Sequence, residues 1–292
     1  MKKLFFIFLG LWLLAGGALA QSAGSTVALK MPCRLLSGIS ERDYSLYLPP
    51  SYYTDNQRRY PVLYLLHGGG DAHTAWEQRN HLSQVMNSLV QSGVAEEMIV
   101  VCPEANLQNM MYFNAMPDLA EGAPDWRYED YFFNEMIPFI ERSYRTRTDR
   151  GGRAVAGFSM GGGAATVYGV HHPEMFCMVY DISGYLRRQP LEFLRFDPSA
   201  EWRQQLIERN NPVERIRQGS DEEVAAWRQV DWKIAVGDHD FTLEANMDLV
   251  RVMRERDIPY AFYSNDGAHN DEWVNGQLGD VLQRASTHFR RQ

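Results

Sequence analysis

Short apolar runs recur along the chain, separated by longer amphipathic stretches. The runs Val62–Leu66, Met98–Cys102, Ala154–Ala156, Cys177–Ile182, Trp232–Val236 and Tyr260–Tyr263 have the length of strands buried on both faces. Tyr44–Leu48 instead alternates polar and apolar residues ahead of Pro49–Pro50, which predicts an early antiparallel strand. Between the runs, helical spacing takes over. Phe132, Phe133, Met136, Ile137, Ile140 and Tyr144 fall on one helical face,. Pro138 lies inside that pattern, and its missing N–H predicts a kink or a fresh turn. Gly161–Val170 and Leu243–Arg254 read as further helices. Strands alternating with helices predict an α/β fold: a mostly parallel central sheet with helices on both faces.

Residues 187–230 break this rhythm. They are rich in Arg, Gln, Glu and Trp and contain Pro190, Pro198 and Pro212. We read them as a helical insertion between two strands, lying over or beside the site, with a long solvated connection as the alternative.

The first residues, MKKLFFIFLGLWLLAGGALA, run from two lysines through an apolar stretch to Ala18-Leu19-Ala20. That order predicts a cleavable secretory signal over residues 1–20, and with it a secreted or periplasmic protein; an uncleaved anchor is the alternative. The remainder, 21–292, suits one large domain. The chain carries a formal net charge of −8 and no basic run, which argues against nucleic acid as a partner. No other segment is apolar for long enough to cross a bilayer, so no membrane association is expected after cleavage. The three cysteines, Cys33, Cys102 and Cys177, are an odd number, and the apolar context of Cys102 and Cys177 predicts buried free thiols. Nothing has metal-ligand spacing; His239 between Asp238 and Asp240 is too sparse to define a site.

In parallel sheets, ligands bind beyond the carboxyl ends of the strands. Four strand ends carry chemistry here: His67-Gly68-Gly69-Gly70, Gly157-Phe158-Ser159-Met160-Gly161, Gly237-Asp238-His239-Asp240 and Asp266-Gly267-Ala268-His269. The second is G-x-S-x-G between a strand and a helix, the context in which that motif presents a nucleophilic serine. A serine hydroxyl needs a base, and His269 alone among the histidines follows the last strand. The base needs a carboxylate. Asp240 is preferred, with Asp238 second; Asp181 sits in its strand and Asp266 is too close to His269. The Met160 N–H, at a helix start, and the Gly69 N–H, with Gly68 or Gly70 as alternatives, are candidate oxyanion donors. Trp76, Trp126, Tyr128 and Trp273 are candidate aromatic walls, with core packing the plainer role. This chemistry calls for no cofactor.

YSLYLPPSY, YPVLYLLHGGG, IPFIERSYRTRTDRGGRAVAGFSMGGG and the late GDHDF and GAH together resemble carbohydrate esterase family 1, the feruloyl and acetyl xylan esterases within the esterase D-like set. The resemblance runs over about residues 40–290. It implies an α/β-hydrolase fold, a Ser159–Asp240–His269 triad, and oxyanion donors at Met160 and just after His67. Its G-x-x-D pattern favours Asp240 over Asp238. The implied activity is hydrolysis of acyl esters on plant cell-wall polysaccharide, with acetyl xylan, siderophore or small-acyl esters as alternatives. A binding protein that kept the fold is the non-enzymatic reading, and the presence of all three triad residues speaks against it.

Overall fold

A computed structural model describes residues 23–105, 112–115, 125–186, 196 and 200–290. The candidate signal, residues 1–20, lies outside the described residues, as do 187–195 and 197–199 of the candidate insertion. Eight strands form one sheet: β1 (Ser25–Pro32), β2 (Glu41–Leu48), β3 (Val62–Leu66), β4 (Ile99–Pro103), β5 (Arg153–Phe158), β6 (Met178–Ile182), β7 (Asp231–Ala235) and β8 (Tyr260–Tyr263). Their spatial order is β1-β2-β4-β3-β5-β6-β7-β8. β2 is antiparallel to both β1 and β4, and every other neighbouring pair is parallel.

Parallel strands cannot be joined by tight turns, so helices cross over and cover both faces. Successive residues of a strand point to opposite faces, and the two cores divide along that alternation. Val62, Tyr64 and Leu66 of β3 join Val155 and Val179 in one core. Leu63 and Leu65 join Val100, Ala154, Ala156 and Met178 in the other. Helices α2 (Ile137–Ser143), α3 (Met160–His171) and α7 (Leu243–Glu255) cover the first face; α1 (Leu82–Gln91) and α8 (Asp271–Arg290) cover the second. Leu63, Leu65 and Leu66 are wholly buried, and truncating any one to alanine is expected to cost about 2–5 kcal/mol.

Pro138 has a visible effect. The helix containing it begins as an α-turn, Tyr128–Tyr131, widens to a π-turn over Phe132–Met136, and resumes as α2 with Pro138 in its first turn. The wider turn accommodates a ring that would otherwise clash with the carbonyl four residues back. The predicted face is kept: Phe132, Met136, Ile137 and Ile140 are buried.

Between β6 and β7 the described residues form α4 (Ala200–Arg209), α5 (Pro212–Gln218) and α6 (Asp221–Trp227). Asn211 caps α5 with its side chain, and Ser220 and Glu223 form a capping box on α6. α5 packs on α3 and α7, and the Trp227 indole donates to the Val170 carbonyl at 2.9 Å. That contact lies at the C-terminal end of α3, far from Ser159 at its start.

Cys33, Cys102 and Cys177 are unpaired and buried. Burial pushes the Cys177 thiol up to about 12. No helix among the described residues is long and apolar enough to cross a membrane.

Candidate active site

Ser159 sits between β5 and α3 with φ 55° and ψ −116°, a conformation that costs a non-glycine residue of order 1–3 kcal/mol. Its neighbours hold it there. The Ser159 N–H donates to the Ile182 carbonyl at 2.9 Å, and its own carbonyl accepts from the Tyr185 and Gly163 amides at 2.8 and 3.0 Å. The flanking glycines have steric causes. A Cβ on Gly157 would run into the Gly161 peptide, and one on Gly161 into the Leu66 and His67 carbonyls. Gly162 and Gly163 let α3 approach Asp181 and the Tyr185 peptide. The glycine cluster thus folds strand, turn and helix so closely that the serine side chain stands clear.

Three side chains from three strand ends meet at that point. His269 Nε2 lies 2.8 Å from Ser159 Oγ. His269 Nδ1 lies 2.9 and 2.8 Å from the two Asp240 oxygens. A carboxylate only accepts, so Nδ1 carries the proton and Nε2 is free to accept from the serine hydroxyl. The Asp240 side chain is fully buried, and that of His269 is 17% exposed. Burial pushes the Asp240 carboxyl up, but the His269 hydrogen bond and charge and the Thr242 amide outweigh it and hold the group below its ordinary value. Asp240 Oδ1 accepts from both the Thr242 amide and hydroxyl, at 2.8 and 2.7 Å.

Asp238 does something else. Its carboxylate accepts from the Gly267 amide at 3.1 Å, while the His239 amide donates to the Gly267 carbonyl at 2.9 Å. These bonds lace the acid loop to the histidine loop and leave Asp238 away from the imidazole. Asp238, His239 and Asp266 lie close together, and all three are exposed, an ordinary surface cluster.

The Gly68–Gly70 loop faces the start of α3: a Cβ placed on Gly69 would lie 4.0 Å from Met160 Cβ. The Met160 N–H belongs to the first helical turn, where amides lack intrahelical partners. His67 fixes the base of the loop. It is buried, its Nε2 accepts from the Ala105 amide at 3.1 Å, and its Nδ1 therefore donates to the Gly68 carbonyl at 2.8 Å.

Asp181 is 1% exposed and accepts from the Thr166 hydroxyl at 2.7 Å. Burial, with a contribution from Asp240, raises its carboxyl to about 7 against the opposing Thr166 and Gly184 hydrogen bonds. It backs the serine turn and bonds to α3, not to His269.

The structure corrects the tryptophan walls. Trp76, Trp126 and Trp273 are 2%, 3% and 6% exposed, and Tyr128 is fully buried. These large rings fill the two cores, because burying them yields more than leaving them at a cleft. Trp273 backs the histidine loop, lying where a Gly267 side chain would be. His171 and His172, at the end of α3, share Glu129, with Nδ1 and Nε2 at 2.8 and 3.3 Å from one oxygen. Among the described residues, the rings that pack on His269 are those of Phe158 and Phe241, with centroids 4.6 and 4.3 Å from that of the imidazole. Phe241 is 39% exposed. Both were within reach of the sequence, since each adjoins a motif residue, Ser159 or Asp240.

A serine on a tight strand-to-helix turn, a histidine and a buried aspartate, hydrogen-bonded in line at the strand ends of an α/β-hydrolase sheet, form the arrangement of serine hydrolases,, and the family match makes this an ester hydrolase. Residues 39–280 match the family model described as "Putative esterase", and the chain belongs to that esterase family. A solved ferulic acid esterase is 35% identical, with a TM-score of 0.82 over 91% of this chain and 99% of its own. The endo-1,4-beta-xylanase/feruloyl esterase of Xylanibacter ruminicola is 33% identical over 135 residues, which are 45% of this chain and 18% of that protein. Esterase Rv1288 of Mycobacterium tuberculosis is 34% identical over 137 residues, 47% of this chain and 28% of that protein. The matched segment thus spans under a third of these curated relatives. The S-formylglutathione hydrolase of Staphylococcus aureus, at 17% identity and a TM-score of 0.70 over 90% of this chain and 96% of its own, shares the fold.

Proposed function

We propose that this protein is a secreted or periplasmic serine esterase, residues 21–292 following a signal at 1–20, that removes feruloyl or related acyl groups from plant cell-wall polysaccharide. The hydrogen-bonded line Asp240–His269–Ser159 is the observation that carries the chemistry. Ser159 Oγ attacks the ester carbonyl while His269 Nε2 takes its proton. The Met160 and Gly69 amides receive the charge that develops on the carbonyl oxygen; losing one such donor typically costs about a hundred- to a thousandfold in rate. His269 returns the proton to the leaving alcohol, then activates water against the acyl-enzyme. Asp240 holds the imidazole tautomer throughout.

The feruloyl assignment leans on a solved ferulic acid esterase that is 35% identical over 91% of this chain. Acetyl xylan esters and siderophore or small-acyl esters are the alternatives, because the same triad serves any of them. The test is hydrolysis of methyl ferulate, acetylated xylan and p-nitrophenyl acetate, each beside Ser159→Ala. Fast cleavage of methyl ferulate by the wild type alone supports the proposal. Cleavage of short acyl esters only would move the assignment to an acetyl esterase. Activity surviving in Ser159→Ala would remove Ser159 as nucleophile.

A further inference from the structure

The two aromatic residues that adjoin the motif both turn toward the imidazole. Phe158 precedes Ser159 and Phe241 follows Asp240, yet each ring packs on the third member, His269. The centroid separations are 4.6 Å with the planes at 32° for Phe158, and 4.3 Å with the planes at 45° for Phe241. Phe158 also reaches the glycine loop: a Cβ on Gly68 would stand 3.1 Å from its ring. Phe158 therefore spans the gap between the oxyanion loop and the base. Phe241 flanks the imidazole where solvent begins, since it is 39% exposed.

A ring face attracts a cation within about 6 Å of its centroid. In acyl transfer the imidazole is neutral at rest and becomes a cation when it takes the serine proton. Two ring faces at these distances are thus worth more in the transition state than in the ground state, which is the condition for accelerating the chemical step. The same packing limits the tilt of the imidazole about its bond to Asp240. An aliphatic side chain of equal bulk would keep the packing and lose the attraction.

We infer that Phe241, with Phe158, is a positioning residue that clamps His269 and stabilises its protonated form during turnover. The inference rests on the reading of His269 as the base. The experiment compares Phe241→Leu and Phe241→Tyr with the wild-type enzyme. The first readout is the pH titration of the His269 imidazole by NMR in the free protein, assigned with His269→Gln. It needs no turnover and stands even if no ester tested is cleaved. The second is the pH profile of kcat and KM on p-nitrophenyl acetate.

In Phe241→Leu the titration midpoint falls by about half a pH unit, the size of one exposed cation–ring contact. The acid limb of kcat/KM moves with it, and kcat drops several-fold with KM little changed. Phe241→Tyr, which keeps a ring face, restores both. A Phe241→Leu midpoint equal to wild type overturns the inference whatever happens to turnover. A shifted midpoint with unaltered kcat overturns the role in catalysis.

Discussion

His269 Nε2 stands 2.8 Å from Ser159 Oγ across 110 residues of sequence. The contact exists because β5 and the loop after β8 end on the same edge of the sheet. The loop is then anchored by the Gly237–Asp240 turn, where a Cβ on Gly237 would strike the Gly267 carbonyl.

The two aspartates of that turn should separate cleanly. Asp240→Asn is expected to lower kcat by about a thousandfold or more, because an amide no longer fixes the imidazole tautomer. Asp238→Asn, which loses only the brace to the Gly267 amide, should stay within about tenfold of wild type. Steady-state kinetics on p-nitrophenyl acetate checks both.

Asp181 should make the protein less stable as pH rises. Its carboxyl sits at about 7 in the fold and near 4 in an unfolded chain. Between those values the folded state holds a proton that the unfolded chain has released, so stability falls from about pH 4 to pH 7. The change from this group is about 4 kcal/mol. Urea titrations at pH 5 and pH 8 should show a smaller difference between the two pH values in Asp181→Asn than in wild type.

Asp231 should behave in the opposite sense. It accepts from Arg284 Nε and Nη2 at 2.5 and 2.6 Å and from His288 Nε2 at 2.8 Å, tying β7 to α8. Burial pushes this carboxyl up, but His288 and Arg284 outweigh burial and bring it to about 2. A depressed carboxyl adds stability that is present above about pH 4 and is lost as pH falls through 2. The group is partly exposed, so Asp231→Asn should cost only about 1–2 kcal/mol at pH 7, and the gap to wild type should close by pH 2. Thermal melts across that range measure it.

Much of this arrangement was legible in the chain. Val62–Leu66 is a strand with the bounds that its apolar run predicts, because a strand covered on both faces must be apolar throughout,; Tyr260–Tyr263 also keeps its predicted bounds, although it is an edge strand with no buried residue. β1 was not legible: only Met31 of Ser25–Pro32 is buried, so an edge hairpin leaves no run to read. Ser159, His269 and Asp240 stood out because each follows a strand in a loop too glycine-rich to be ordinary. The tryptophans take core packing, the plainer of the two roles open to them; a sequence shows that a ring is large, not which side of the sheet it faces. The sharing of Glu129 by His171 and His172 depends on a contact 42 residues apart, and no local spacing reports it. The roles of Phe158 and Phe241 depend on where His269 arrives, which only the fold decides.

From Met160 through Val170 every residue of α3 is buried. A helix of this kind has no solvent-facing side from which to fray, and its first amide is a candidate oxyanion donor. Amide hydrogens of α3 should therefore exchange only through global opening, as in the most protected cooperative unit of a protein. The serine turn would then persist to the onset of melting, and heat would remove activity and structure in a single step.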